Sequence, residues 1–167
     1  MTFLELAKER YSTRGFKPDI PVEREKLDAI LESAVIAPTA ANMQPHRIKV
    51  LQTPEELAIA DAISPCRYNA PLAFLICYDS AHTIKREPLD AGVIDASIVT
   101  THMMLEAWEL GLGSVWCLAF DPEKATELLK LPPNIVPVAF LPVGYAADGV
   151  EPHVFHSTSK PLNELLL

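Results

Sequence analysis

Between Asp90 and Leu110 the chain carries Val93, Ile94, Ile98, Val99, Met103, Met104, Leu105, Trp108 and Leu110. At 3.6 residues per turn these side chains point almost all the way around one axis. The spacing predicts a helix opened by Asp90 as its cap and closed at Gly111. Such a helix needs cover on every side, more than one sheet face can give. It reads as a central helix, and a second subunit is expected to complete its cover. The length, 167 residues, suits one domain with an adequate core.

The remaining segments fall around that helix. Residues 2–10 read as a short helix that Thr2 caps, and the chain then breaks through Tyr11 to Gly15. From Val22 to Ala37 the positions Leu27, Ile30, Leu31, Ala34 and Val35 form an amphipathic helix halted before Pro38. Residues 38–44 are small and polar. Arg47 to Gln52 alternates as a strand, Pro54 to Ile63 reads as a helix with proline in its first turn, and Leu72 to Tyr78 suits a buried strand. Residues 79–89 are expected to form a polar loop, and Ser114 to Phe120 a strand. Asp121 and Pro122 open a helix to Leu131, and Ile135 to Tyr145 reads as a strand whose Pro137 and Pro142 suit an edge or a bulge. Residues 146–167 have little core of their own, so this tail belongs to the single domain 1–167 and is expected to cross to a neighbouring subunit.

Composition removes several kinds of partner. Fourteen lysines and arginines against 22 aspartates and glutamates give a net charge of −8, the wrong sign for phosphate backbones or anionic membranes. No apolar run approaches a bilayer span, and Glu5 and Glu9 stand where a signal peptide would be basic, so a cytoplasmic address is expected. Cys66, Cys77 and Cys117 form no C-x-x-C pair and read as small hydrophobes in a reducing compartment. The six glycines make neither a dinucleotide fingerprint nor a phosphate-binding loop. No G-x-S-x-G is present. His153 and His156 lack a third metal ligand and read as surface histidines, and His102 reads as a satisfied core residue. Asp90 and Asp95 are more simply a helix cap and a solvent-facing residue than a catalytic pair.

Positive charge is concentrated at one end. Residues 1–26 hold six of the 14 basic residues but only five of the 22 acids. Arg10 and Arg14 are the best candidates for an anion, since a guanidinium offers a rigid fork of donors. Spacing alone favours the plainer reading, with Arg10 complementing a helix C-terminus and Arg14 lying in solvent. The segment from Pro38 to Pro45 combines small side chains that admit a flat ligand with Thr39, Asn42 and Gln44, which can bond its edge. It also reads plainly as a loop that ends a helix.

Taken together these residues resemble a known family. Arg10-Tyr11-Ser12-Thr13-Arg14-Gly15-Phe16 is similar to the R-x-S-x-[RK]-x-F opening of the nitroreductase family of flavin enzymes. Ala37 to Pro45 resembles its A-P-S-x-x-N-x-Q-P-W segment. The long helix running into Gly111-Leu112-Gly113 resembles the family's helix ending in G-L-G, and Val138 to Tyr145 its last strand with a P-[VI]-G-Y turn. The resemblance spans essentially the whole chain. It implies an α+β fold with a central mixed or antiparallel sheet flanked by helices, an intertwined homodimer, and FMN at the interface. By that resemblance Arg10, Tyr11, Ser12 and Arg14 bind the phosphate, ribityl chain and pyrimidine edge. Pro38, Thr39, Ala40, Asn42 and Gln44 reach the flavin from the other subunit. Cys117, Leu118 and Ala119 present their backbone to its reactive nitrogen, and Ser159 and Lys160 lie near the phosphate. Two departures stand out: His46 replaces the family's tryptophan, and serines at 157 and 159 replace its basic tail. The implied reaction takes hydride from NAD(P)H and reduces a nitroaromatic, quinone or similar small planar acceptor by a ping-pong cycle. It needs no catalytic side-chain acid, only a fixed cation such as Arg14. A specialised flavin enzyme of the same fold, or a flavin-binding sensor of low turnover, stays open because the 79–89 loop is not diagnostic.

Overall fold

The computed structural model describes residues 2–167. Thr2 opens helix α1 (Phe3–Glu9) with a reciprocal cap: its hydroxyl accepts from the Glu5 backbone, and the Glu5 carboxylate accepts from the Thr2 backbone at 2.7 Å. Helix α2 (Arg24–Ile36), strand β1 (His46–Leu51), helix α3 (Pro54–Ile63) and strand β2 (Leu72–Asp79) follow. A two-residue hairpin, β3 (Lys85–Arg86) with β4 (Leu89–Asp90), precedes the long helix α4 (Ala91–Glu109). Strand β5 (Gly113–Ser114), helix α5 (Pro122–Leu128) and strand β6 (Ile135–Gly144) complete the core elements.

The main sheet has the order β1-β2-β6-β5, and all three pairings are antiparallel. Among the described residues its one parallel contact is an isolated bridge from Ser12 to Ser114. Strand β2 is buried along its whole length because helices cover both faces. Leu72, Phe74 and Ile76 pack toward α2 and α4, while Ala73, Leu75 and Cys77 pack toward α3 and α5. The period-two alternation of a strand therefore feeds two cores from one continuous apolar run.

Helix α4 lies between the sheet and α2, with Ala96, Val99, Met103 and Ala107 fully buried. Asp90 caps it, accepting from the Gly92 backbone at 2.9 Å. Gly111 ends it in the left-handed conformation (φ 76°), with Leu112 bonding back to the Ala107 carbonyl at 2.8 Å. Val93 and Ile94 remain exposed.

Several expectations require correction. The strand expected over Ser114 to Phe120 pairs regularly only at Gly113–Ser114 and returns as a single bridge from Cys117 to Phe140. Between them the register falls on Pro142, whose carbonyl accepts from Val115 at 3.2 Å but which has no N–H to complete the ladder. The helix expected to reach Leu131 stops at Leu128. Lys130 adopts φ 51° and Leu131 bonds back to Thr126 at 3.0 Å, a left-handed cap that Pro132 and Pro133 follow. Strand β6 is not an edge, since it lies between β2 and β5. Its irregularity is a bulge opposite Ile76 and Cys77 that leaves Val138 unpaired. The polar loop 79–89 contains the β3–β4 hairpin. Asp95, expected in solvent, is buried at 2 % exposure. The tail begins by pairing with its own N-terminal segment, Ala147 donating to Gly15 at 3.0 Å, and residues 151–167 are exposed throughout.

Candidate functional site

Residues 10–16 are held in extended conformation against the sheet. Thr13 donates to the Ser114 carbonyl at 3.0 Å, and Phe16 to the Tyr68 carbonyl at 3.1 Å. Gly113 makes this approach possible, because a Cβ there would stand 2.5 Å from the Thr13 hydroxyl oxygen. Thr13 is fully buried, so the alternation of an extended chain turns Arg10, Ser12 and Arg14 together to the other side. With Tyr11, His153, Phe155 and His156 they line a cleft of about 560 Å³. A second cleft of about 410 Å³ opens on the other side of Arg10, lined also by Ala7, Lys8, His156, Ser157 and Ser159. Lys160 lines neither.

The Arg10 guanidinium makes no ion pair or side-chain hydrogen bond among the described residues, although it is half-buried, and this burial lowers its pKa from the ordinary value. A partly desolvated cation without a counter-charge favours a bound anion. Arg14 is exposed and donates only to the Ser12 carbonyl, at 3.3 Å. Tyr11 is fixed edge-on to Trp108 with ring centroids 5.2 Å apart.

The loop from Pro38 to Gln44 lies apart from this cleft, on the N-terminal half of α4. The buried Asp95 carboxylate accepts from the Ala40 backbone at 2.8 Å. The Thr39 hydroxyl accepts from the Gln44 backbone at 3.0 Å, and the Gln44 amide donates to the Asn42 side chain at 2.8 Å. Ala41, Asn42 and Gln44 all have φ near +50°, conformations that side chains rarely adopt. Three in one short loop store backbone strain, which the contact with Asp95 helps to hold. His46, just beyond, is half-buried with an unpartnered Nδ1. Burial first, then the neighbouring Arg47, lowers its pKa, while Asp95 opposes the shift.

In the third candidate stretch, Cys117 spends both backbone groups on Phe140: its N–H donates at 2.8 Å and its carbonyl accepts at 3.1 Å. The backbone N–H groups of Leu118 and Ala119 make no hydrogen bond among the described residues, and the Leu118 side chain is exposed. These two residues, rather than Cys117, have donors to offer a ligand. Burial pushes the Cys117 thiol up to about 12, so it stays protonated.

One chain thus gathers Arg10, Tyr11, Ser12 and Arg14 at one cleft and Ser159 at the next, and keeps Pro38, Thr39, Ala40, Asn42 and Gln44 elsewhere. Asp95 escapes a reading of spacing because its burial depends on where the 38–44 loop lands. Lys8 and His156 join the second cleft through the tail's course, which no periodicity reports. The pair Thr13 and Gly113 was accessible only through the two motifs that contain them. Among the described residues no three His, Cys, Asp or Glu side chains cluster to hold a metal, and no helix is long and apolar enough to cross a membrane.

Comparison with known proteins places these features in one family. The model of the Nitroreductase family matches residues 7–66 and 60–145. A Methanothermobacter thermautotrophicus protein with the provisional name NADH dehydrogenase/NAD(P)H nitroreductase is 32 % identical over 155 residues, covering 89 % of this chain and 79 % of that one. The crystal structure of a nitroreductase family protein from Clostridium difficile 630 superposes with a TM-score of 0.93 at 42 % identity, over 100 % of this chain and 98 % of the other. An FMN-dependent nitroreductase from Clostridium difficile R20291 superposes at 0.75 with 26 % identity, over 95 % and 98 %. On the family match and these likenesses, the chain is a member of the Nitroreductase family.

Proposed function

We propose that this protein is an FMN-dependent oxidoreductase that accepts hydride from NAD(P)H and passes electrons to a small planar acceptor such as a nitroaromatic or a quinone. The observation that carries the reading is the half-buried Arg10, without a counter-charge among the described residues, between two clefts and beside Ser12 and Arg14. Those residues fit a phosphorylated cofactor. Arg10, with Lys8, Ser157 and Ser159 around the second cleft, holds the phosphate, and charge-assisted bonds from the guanidinium dominate that contact. Ser12 and Arg14 bond the polar chain and the pyrimidine edge. FMN, when bound, supplies hydride acceptance and donation, which this chain's side chains do not offer.

The protein's own part is electrostatic and steric. Arg14 places a fixed positive charge at the edge where negative charge collects on reduction, and so favours the reduced state. The backbone N–H groups of Leu118 and Ala119 orient the reactive face. The small residues of the 38–44 loop leave room for a flat ring to stack. Since that loop lies apart from the Arg10 cleft, the site is completed by Pro38, Thr39, Ala40, Asn42 and Gln44 of a partner subunit in a homodimer. Donor and acceptor then use one open face in turn, which gives ping-pong kinetics.

Stopped-flow mixing of FMN-loaded protein with NADH and, separately, with NADPH tests the reading. Bleaching of the flavin by one of them at a rate that supports turnover, with parallel double-reciprocal plots against the acceptor, is the expected result. Bleaching by neither would remove the reductase and leave a flavin-binding protein.

A further inference from the structure

Two thiols lie together beside the candidate site, and the function proposed above uses neither. Cys117 is buried at 6 % exposure, with its Sγ 3.7 Å from the carbonyl oxygen of Cys66, whose own side chain is only half-buried. The two segments that carry them are laced together. The Ser64 hydroxyl donates to the Ala119 carbonyl at 2.8 Å and accepts from the Cys66 backbone at 3.0 Å, while Asp121 donates to the Ile63 carbonyl at 2.8 Å. The Cys66 thiol also faces the Tyr68 hydroxyl, and Arg14 lies close enough to act on both Tyr68 and Cys117. The third cysteine differs: Cys77 is 1 % exposed, and its Sγ approaches only the Leu75 carbonyl, at 3.9 Å.

We propose that Cys66 and Cys117 form a redox-active dithiol that closes to an intramolecular disulfide when a hydroperoxide reaches Cys66. Bridging requires Cβ atoms about 3.5–4.5 Å apart, and the ties at Ser64–Ala119 and Ile63–Asp121, with the Cys117 Sγ 3.7 Å from the Cys66 carbonyl oxygen, hold the two residues side by side. The order of events follows exposure. Cys66, the accessible thiol, attacks the outer peroxide oxygen and gives its proton to the departing one. The O–O bond breaks, an alcohol or water leaves, and Cys66 becomes a sulfenic acid. The Cys117 sulfur then attacks the Cys66 sulfur, an S–S bond forms, the S–O bond breaks, and the Cys117 proton leaves with the hydroxyl as water. In sum two thiols lose two electrons, and the hydroperoxide gains them. Burial keeps Cys117 protonated and out of the first step, which suits a resolving thiol. The bridge joins the turn at residues 64–69, which anchors Phe16 through the Tyr68 carbonyl, to the Leu118–Ala119 stretch.

The test treats the full-length native protein with tert-butyl hydroperoxide, quenches it in acid and titrates thiols under denaturing conditions. The expected count falls from three to one, the intact mass falls by two hydrogens, and a peptide map links the segments containing residues 66 and 117. Dithiothreitol restores all three thiols. A Cys77→Ala variant still forms the bridge, and Cys117→Ser instead stops at oxidised, unbridged Cys66. Retention of three thiols, a bridge that includes Cys77, a link between chains, or a Cys66 sulfinate beside free Cys117 would each overturn the proposal. The wild-type count and map decide the matter even if Cys117→Ser does not fold.

Discussion

Arg10 and Arg14 are four residues apart in sequence and differ in physical circumstance, so their removal has different consequences. Arg10 is half-buried, has no counter-charge among the described residues, and opens onto both clefts. Its proposed work is on the phosphate, where a charge-assisted hydrogen bond contributes about 1.5–3 kcal/mol. Arg10→Ala is therefore expected to raise the FMN dissociation constant by about 10- to 100-fold and to leave riboflavin binding nearly unchanged; fluorescence titration with both ligands checks this. An equal loss for both would remove Arg10 from the phosphate. Arg14 is exposed and holds only the Ser12 carbonyl. Its proposed work is on the reduced state, so Arg14→Ala should lower the flavin midpoint potential and slow reduction, and spectroelectrochemistry reads the first directly. An unchanged potential would return Arg14 to solvent. Both arginines were legible because their motif fixes residue type and spacing. Asp95 was not, because a carboxylate on a long helix ordinarily marks the wet side. Here it is buried because the strained 38–44 loop brings the Ala40 backbone N–H to it, a long-range contact that no local pattern encodes.

At the scale of elements, legibility followed the hydrogen-bond ladder. Thr2 caps α1 and Pro54 opens α3 as their sequences indicated, and the structure completes both ends with reciprocal caps, Thr2 with Glu5 and Thr53 with Glu56. The apolar run of β2 announced burial on two faces. The segment after Ser114 misled because its alternation is that of a strand, while the obstacle is Pro142 on a different strand. Two glycines at the end of α4 separate stability from function. Gly111 has φ 76° and open space around it, so Gly111→Ala costs only backbone strain, about 1 kcal/mol. Gly113 has the Thr13 hydroxyl oxygen 2.5 Å from where a Cβ would stand, so Gly113→Ala must push the Arg10–Arg14 segment off β5. Overpacking of this kind costs about 1–3 kcal/mol. Both variants should melt at lower temperature than the parent, but only Gly113→Ala should also lose FMN affinity. A Gly113→Ala protein with parental affinity would show that the segment's register on β5 does not position the site.

For the whole molecule, the sequence's demand for cover around α4 is only partly met within one chain. Val93 and Ile94 remain exposed, as do Phe3 and Leu4 of α1, Val35 and Ile36 of α2, and Val154, Phe155, Leu162 and Leu165 of the tail. Apolar surface on this scale fits a second copy, and in the dimer proposed above the Pro38–Gln44 loop of one subunit meets the Arg10 cleft of the other. Sharing of this kind makes a prediction that a self-contained site does not. If Arg14 and Asn42 reach one flavin from different chains, Arg14→Ala and Asn42→Ala homodimers each carry two damaged sites. A heterodimer of the two variants carries both defects in one site and neither in the other. With equal co-expression about half of the dimers are mixed, and in each of those one site of the two is intact. Tag-selected heterodimers should then recover about half the parental activity per dimer, with one flavin per dimer reduced at the parental rate in single-turnover mixing. The two impaired homodimers mixed without subunit exchange should recover nothing. Heterodimers that bind FMN yet stay at the level of the variants would place Arg14 and Asn42 in the same chain's site. The loop would then have to leave its seat on α4 to reach the cleft, breaking the Ala40–Asp95 bond that now holds it there.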